Sequence, residues 1–311
     1  MRIVITGAGG QLGREWIDNL AGRASGISGS EETADSLKDS PRIEVVGFTS
    51  GELDITSRDA VEKRLEEVLP SIVVNCAAWT DVDGAEDHPE KALKVNRDGV
   101  QNLAGWCKNN NALMVHYSTD YIFSGSRKDL VRYPDGYPEE APADPINRYG
   151  ESKRAGEVVL QESGAEHLLL RVSWLCGKYG SNFIKTMLRL AGERDRIDVV
   201  NDQVGSPSWA DDVVNKSMAL IASRNRGTFH LTSAGLISWY DLASELFRRA
   251  GLNIEAQPVT SDRFPAKAKR PAFSKLSTDK MSRKLGLAPE PWKKGLQRLL
   301  DQLNGAGRRS Q

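Results

Sequence analysis

Tyr149-Gly150-Glu151-Ser152-Lys153 sets a phenol and an ammonium four residues apart, the spacing that brings two side chains onto one face of a helix. A free tyrosine has a pKa of about 10, and a nearby cation favours its phenolate, drawing it toward useful acid–base chemistry at neutral pH. Tyr149 is therefore a candidate proton donor to a carbonyl oxygen as hydride reaches the carbon, with Lys153 tuning it. None of the other six tyrosines has Lys at the fourth position on. Ser118-Thr119-Asp120-Tyr121-Ile122-Phe123 is a polar cluster at the end of an apolar run, and Thr119 is a candidate to hold the reacting oxygen. Its plain structural role would be to cap the strand end.

A second group of residues suits a dinucleotide. Gly7-Ala8-Gly9-Gly10-Gln11-Leu12-Gly13 follows the first apolar run directly and opens a helix. Glycines there let the backbone turn sharply and approach a pyrophosphate, which free N–H groups at a helix N-terminus can hold. Gly7, Gly10, Gln11, Leu12 and Gly13 are the candidate cofactor contacts, with Asp54 and Ile55 at the adenine edge. Asp54 serves equally well as a cap for a helix from Ser57. The second run ends Phe48-Thr49-Ser50 without the acidic residue that grips the ribose of NAD, and Arg14 is near enough in sequence to meet a 2′-phosphate. NADPH is therefore preferred, and NADH remains possible.

The elements that must position these groups are legible as alternation. Ile3–Thr6, Glu44–Phe48, Ser71–Cys76, Leu113–Ser118 and Leu168–Val172 read as strands, with helices between the first four. Near-continuous apolar strands separated by helices predict an α/β fold, a doubly wound parallel Rossmann sheet over residues 1–172. Residues 173–311 are expected to form a smaller substrate lobe, partly interleaved with the first domain. Asn182–Gly192 and Trp239–Gly251 read as amphipathic helices there, with a final helix over Pro291–Leu303 and a disordered Gly305–Gln311. Ala21–Pro41, rich in Gly, Ser and acidic residues, reads as a flexible insertion, and Ser124–Arg148, with four prolines, as an irregular loop or lid.

Composition narrows the partners. Lys+Arg and Asp+Glu both number 42, so no global basic field is available to hold nucleic acid. No apolar run of about 18 residues could span a bilayer. Arg263, Lys267, Lys269, Arg270 and Lys275 form a local basic loop, suited to an anionic substrate or simply solvated. Cys76, Cys107 and Cys176 make no CxxC pair, and the first residues lack a signal peptide's apolar region, so a reducing cytoplasm is expected.

The glycine turn, Asn75-Cys76-Ala77-Ala78, Ser118-Thr119-Asp120-Tyr121 and the Tyr149/Lys153 pair resemble the extended short-chain dehydrogenase/reductase superfamily. Val73–Asp83, Asn182-Phe183 with Thr186-Met187-Leu188, Asn201–Pro207 and Arg270-Pro271 are more specifically similar to dTDP-4-dehydrorhamnose reductases. That resemblance implies reduction of the C4 ketone of dTDP-4-dehydro-6-deoxy-L-mannose to dTDP-L-rhamnose. It implies that Thr119, Tyr149 and Lys153 are the catalytic residues, with Lys153 also holding the nicotinamide ribose. Ala77, Ala78 and Thr80 would lie near the cofactor, Trp174 beside sugar and base, and Asn182 and Arg270 on the diphosphate of a nucleotide-sugar. The run Arg270-Pro271-Ala272-Phe273-Ser274 departs from the family, which carries Asn or Asp where Phe273 stands. Some members form magnesium-linked dimers; Glu15 matches one acidic position, but the second falls near Asp301-Gln302, so no metal is expected and a homodimer stays possible. A sister 4-ketoreductase acting on another nucleotide-linked deoxysugar is an alternative. So is a non-catalytic NADP-binding regulatory subunit resembling the beta subunit of methionine adenosyltransferase.

Overall fold

In the computed structural model, which describes residues 1–24 and 43–308, the apolar runs form one parallel six-stranded sheet. Strand β1 (Arg2–Thr6) lies between β2 (Glu44–Phe48) and β3 (Ile72–Asn75). Beyond β3 come β4 (Leu113–Thr119), β5 (His167–Val172) and the edge strand Gly227–His230. Every residue of β3 and β4 is buried, as an apolar run sandwiched between helices must be. The strand order reverses between β1 and β3, and a crevice opens at the carboxyl ends of strands where this happens.

Polar groups close that end of the sheet. Register places Thr6 beside Asn75 and Asn75 beside His116. Thr6 Oγ1 donates to Asn75 Oδ1 at 2.7 Å, Asn75 Nδ2 meets His116 Nδ1 at 3.0 Å, and Ala77 N donates to Asn75 Oδ1 at 3.1 Å. Burial holds the His116 imidazole well below its ordinary value, so it stays neutral. One helical layer packs Leu12, Trp16 and Leu20 of helix α1 (Gln11–Ala24) with Val213, Val214 and Leu220 of Ala210–Ala222. The other layer sets Val61 and Leu65 of α2 (Arg58–Val68) and Leu103 and Cys107 of Gly99–Asn109 on the opposite face.

The chain after Val172 is divided between two layers. Helix Ala210–Ala222 and strand Gly227–His230 complete the first sheet and its core. The rest builds a lobe in which Arg196–Val200 pairs in parallel with Glu255–Val259 and helices Phe183–Ala191, Trp239–Ala250 and Trp292–Arg308 share a core around Trp209, Leu246 and Leu296. Trp239–Ala250 starts at a reciprocal Ser238/Asp241 capping box and stops at Gly251, whose φ of 66° ends the helix as glycine readily does.

Three expectations need revision. Ser124–Arg148 is a packed segment instead of a loose lid. Phe123 stacks on Tyr137 at 4.3 Å, Tyr137 donates to Asp129 Oδ2 at 2.7 Å, and both rings share a small core with Phe273 and Leu276. Phe273, where the sequence departs from the family it resembles, thus has an apolar job. The last helix runs to Arg308, past the expected end at Leu303. Of Ala21–Pro41, residues through Ala24 continue α1, and the remainder lies outside the described residues.

Candidate active site

The glycine turn does what its composition requires. Gly7 has φ of +66°, and a Cβ there would lie 2.6 Å from Ala77 N; one on Gly13 would lie 2.3 Å from Gly7 O. Only glycine lets β1, the turn and α1 meet this closely. Gly10 N donates to Gly7 O at 2.9 Å, and Arg14 N makes the first helical bond to Gly10 O, so the N–H groups of Gln11, Leu12 and Gly13 have no helical acceptor. A Cβ on Gly9 would find only the Thr49 methyl at 3.5 Å, so the turn is open on that side. A pyrophosphate fits this cradle.

Several expected cofactor contacts have structural duties. Leu12 and Ile55 are buried in the two core layers. The Gln11 side chain ties the turn to the second lobe, with Nε2 donating to Leu175 O at 3.1 Å and Oε1 accepting from Asn182 Nδ2 at 2.6 Å. Asp54 Oδ1 accepts from Thr56 N at 2.9 Å and the residue is exposed, while Ser57, not Asp54, caps α2. Glu52 escaped the sequence reading. The turn after β2 folds it back so that its carboxylate accepts from Thr49 N and Oγ1 at 2.8 and 2.7 Å, which puts an acid beside the residue that abuts the glycine turn. A carboxylate four positions past a strand carries no pattern that a linear reading can detect.

Thr119 and Tyr149 come together, and Lys153 lies beneath them. Thr119 ends β4, where Oγ1 donates to Asp120 Oδ1 at 3.1 Å and accepts from Tyr121 N at 3.2 Å. Helix Arg148–Glu162 begins at Asn147, whose Oδ1 accepts from Gly150 N at 2.8 Å, and this cap aims Tyr149 at the strand end. Burial pushes the phenol up to about 12; the Thr119 hydroxyl pulls it down and the Asp120 charge pushes it up. This reverses the direction expected from the Tyr–Lys spacing. Lys153 instead donates to Tyr117 O at 2.7 Å, and burial lowers its own pKa to about 8. The i, i+4 rule puts both groups on one face, but the long lysine stem carries Nζ to the Tyr117 carbonyl of β4.

Two further residues were missed. Asp120 is buried, its Oδ2 has no hydrogen-bond partner among the described residues, and desolvation raises it to about 7. Asn96, in the wide π-type turn Lys94–Asp98, clamps the loop after β3: Oδ1 accepts from Trp79 N at 2.9 Å, and Nδ2 donates to Trp79 O at 3.1 Å and to Ser152 Oγ at 2.9 Å. It thereby joins the Ala77–Thr80 segment to the Tyr149 helix. Thr80 itself is exposed.

The substrate candidates separate. A cavity of about 1200 Å³ is lined almost entirely by residues after Val172, among them Phe183, Gln203, Trp239, Lys269 and Arg270, with Ile146 from the segment before the Tyr149 helix. Trp239 is the lining indole; Trp174, with a positive φ of 48°, stacks on it at 3.7 Å with an interplanar angle of 11°. Asn182, implied as a diphosphate contact, is committed elsewhere. Its Oδ1 caps Phe183–Ala191 by accepting from Lys185 N, and Nδ2 donates to Gln11 Oε1 and to Gly177 O at 2.8 Å. Within the basic loop, Lys267 pairs with Asp87 and Lys275 donates to Pro134 O, which leaves Lys269 and Arg270 on the cavity. Tyr121 links the two ends: it feels the Arg270 charge, and its ring meets Tyr149 edge to face at 5.6 Å.

A parallel sheet with this cradle and a Thr/Tyr/Lys cluster at the carboxyl end of β4 defines an NAD(P)-dependent reductase of the Rossmann type. Residues 1–304 match the family model for the RmlD substrate binding domain. The chain is 36% identical to a dTDP-4-dehydrorhamnose reductase of Aggregatibacter actinomycetemcomitans over 96% of this chain and 98% of that one. It is 39% identical to a dTDP-4-keto-6-deoxy-D-glucose reductase of Streptomyces niveus over 93% and 92%. A crystal structure of dTDP-4-dehydrorhamnose reductase from Bacillus anthracis in complex with NADP superposes with a TM-score of 0.85 at 36% identity, covering 97% of this chain and 99% of that one. The chain belongs to the dTDP-4-dehydrorhamnose reductase family. No helix among the described residues is long and apolar enough to cross a membrane.

Proposed function

We propose that this chain reduces the C4 ketone of dTDP-4-dehydro-6-deoxy-L-mannose to dTDP-L-rhamnose with NADPH, NADH being the alternative donor. The observation that carries the reading is the placement of Thr119 and Tyr149 at the carboxyl end of β4, linked through Tyr121 to a cavity bearing Trp239 and Arg270. A nicotinamide cofactor, when bound, supplies hydride to the ketone carbon. Tyr149, kept protonated by burial, donates its proton to the ketone oxygen, and Thr119 orients that oxygen by hydrogen bonding. Lys153, fixed by the Tyr117 carbonyl, would hold the nicotinamide ribose of the bound cofactor. An indole face and a guanidinium suit a base or sugar and a diphosphate.

Loss of NADPH absorbance on adding enzymatically made dTDP-4-dehydrorhamnose tests the reaction. Turnover that falls by about 10²- to 10⁴-fold in Tyr149→Phe supports it, the usual range for a positioned acid. The likeness to a dTDP-4-keto-6-deoxy-D-glucose reductase supports a second reading, a sister ketosugar, so both ketones belong in the assay. Cofactor binding without turnover on either would favour the regulatory-subunit alternative. The same reading places the chain in the cytoplasm and is compatible with a homodimer, which sedimentation velocity measures.

A further inference from the structure

Arg270 is held along one edge and open along the other. Nη1 and Nη2 donate to the two oxygens of Asp83 at 3.0 and 2.8 Å, and Nη1 also donates to Ala268 O at 3.0 Å. A guanidinium carries five N–H groups in one plane. Nε–H and the second Nη2–H, which point the same way, have no acceptor among the described residues. They make a second two-pronged edge of the shape that phosphate oxygens accept. Arg270 lines the cavity and Asp83 does not.

Asp83 is itself well anchored. It lies in the first turn of helix α3 (Val82–Asp87), capped by Asp81, and its Oδ1 also accepts from Ala268 N at 2.9 Å. At the other end of α3, Glu86 accepts from Arg148 N at 2.9 Å, and Asn147 Nδ2 donates to Lys269 O at 2.8 Å. Both bonds reach the start of the Tyr149 helix. The arginine is thus fixed relative to the reacting residues through Asp83 and α3, with Ala268 and Lys269 of its own segment tied to the same elements.

We propose that Asp83 is a positioning residue for substrate: by occupying the end-on edge of Arg270 it turns the side-on edge into the cavity, where it receives the diphosphate of a nucleotide-linked substrate. This rests on the nucleotide-sugar reading above. The probe is free dTDP, titrated calorimetrically into the NADP-loaded protein and its Asp83→Ala, Asp83→Glu, Arg270→Ala and double Ala variants.

Asp83→Ala and Arg270→Ala should each weaken dTDP by about tenfold or more, the scale of a charge-assisted hydrogen-bonded pair. The double variant should be no weaker than Arg270→Ala alone, Asp83→Glu should recover part of the loss, and the KM for nucleotide-sugar should rise more than the KM for NADPH. An Asp83→Ala protein that melts earlier but binds dTDP like wild type would overturn the proposal, as would additive losses in the double variant. Failure of the nucleotide-sugar reading shows separately, as wild-type protein that binds NADP and ignores dTDP.

Discussion

Thr119 donates to Asp120 and borders Tyr149, so one hydroxyl stands between two acids that burial raises. The consequence for Asp120 is measurable. Its folded-state value of about 7 lies above the ordinary carboxylate value, so between the two the native state holds a proton that the unfolded chain has lost. Stability from this group is therefore present at low pH and lost as pH rises through about 7. Asp120→Asn removes the titration, and its unfolding free energy relative to wild type, from urea titrations at several pH values, should climb across that window by at most on the order of 4 kcal/mol. A flat difference from pH 4 to 8 would refute the assignment. At Glu52 the expectation concerns selectivity. Its charge, held against Thr49 beside the glycine turn, opposes a 2′-phosphate, so Glu52→Gln should raise kcat/KM for NADPH relative to NADH severalfold, read from both cofactors in one assay.

Among the elements, the turn between β1 and α1 tolerates little change. Gly7→Ala must place a side chain at φ +66° and within 2.6 Å of backbone, so it should cost about 1–3 kcal/mol of strain or displace Ala77. Urea unfolding and NADP titration should both show the loss. The start of helix Phe183–Ala191 gives the opposite kind of test. Asn182→Ala removes a cap, at about 1 kcal/mol, and the tie to Gln11, so thermal stability should fall while dTDP affinity changes far less than in Arg270→Ala. Equal losses of dTDP affinity would restore Asn182 to the diphosphate.

At the scale of the molecule, a buried ion pair fastens the active-site helix to the sheet and to the segment before it. Arg171 of β5 meets both oxygens of Glu157 at 2.8 and 2.9 Å and donates to Glu139 O at 2.8 Å, and Glu139 in turn accepts from His230 N at 3.1 Å. Removing one partner leaves a buried charge, so Glu157→Gln should destabilise the protein by about 3–5 kcal/mol in denaturant titrations. A change under about 1 kcal/mol would show that water reaches the pair, as at exposed ion pairs.

The parallel sheet, the glycine turn and the candidate trio Thr119, Tyr149 and Lys153 were legible because each is local. An apolar run fixes a strand, a missing Cβ fixes a turn, and a spacing of four fixes a helix face. The sequence by itself thus determined the first five strands of the sheet, the glycine turn and which chemical groups stand at their ends, while the edge strand Gly227–His230 and the Arg196–Val200/Glu255–Val259 pair were settled by tertiary pairing. Only the tertiary structure decided where side chains from distant segments point and how dry they are. It turned Lys153 to a carbonyl, folded Glu52 back onto Thr49, gave Asn182 to a helix cap and set Asp83 behind Arg270 across 187 residues of chain. Desolvation and long-range pairing depend on the whole packed neighbourhood, and no linear spacing encodes them.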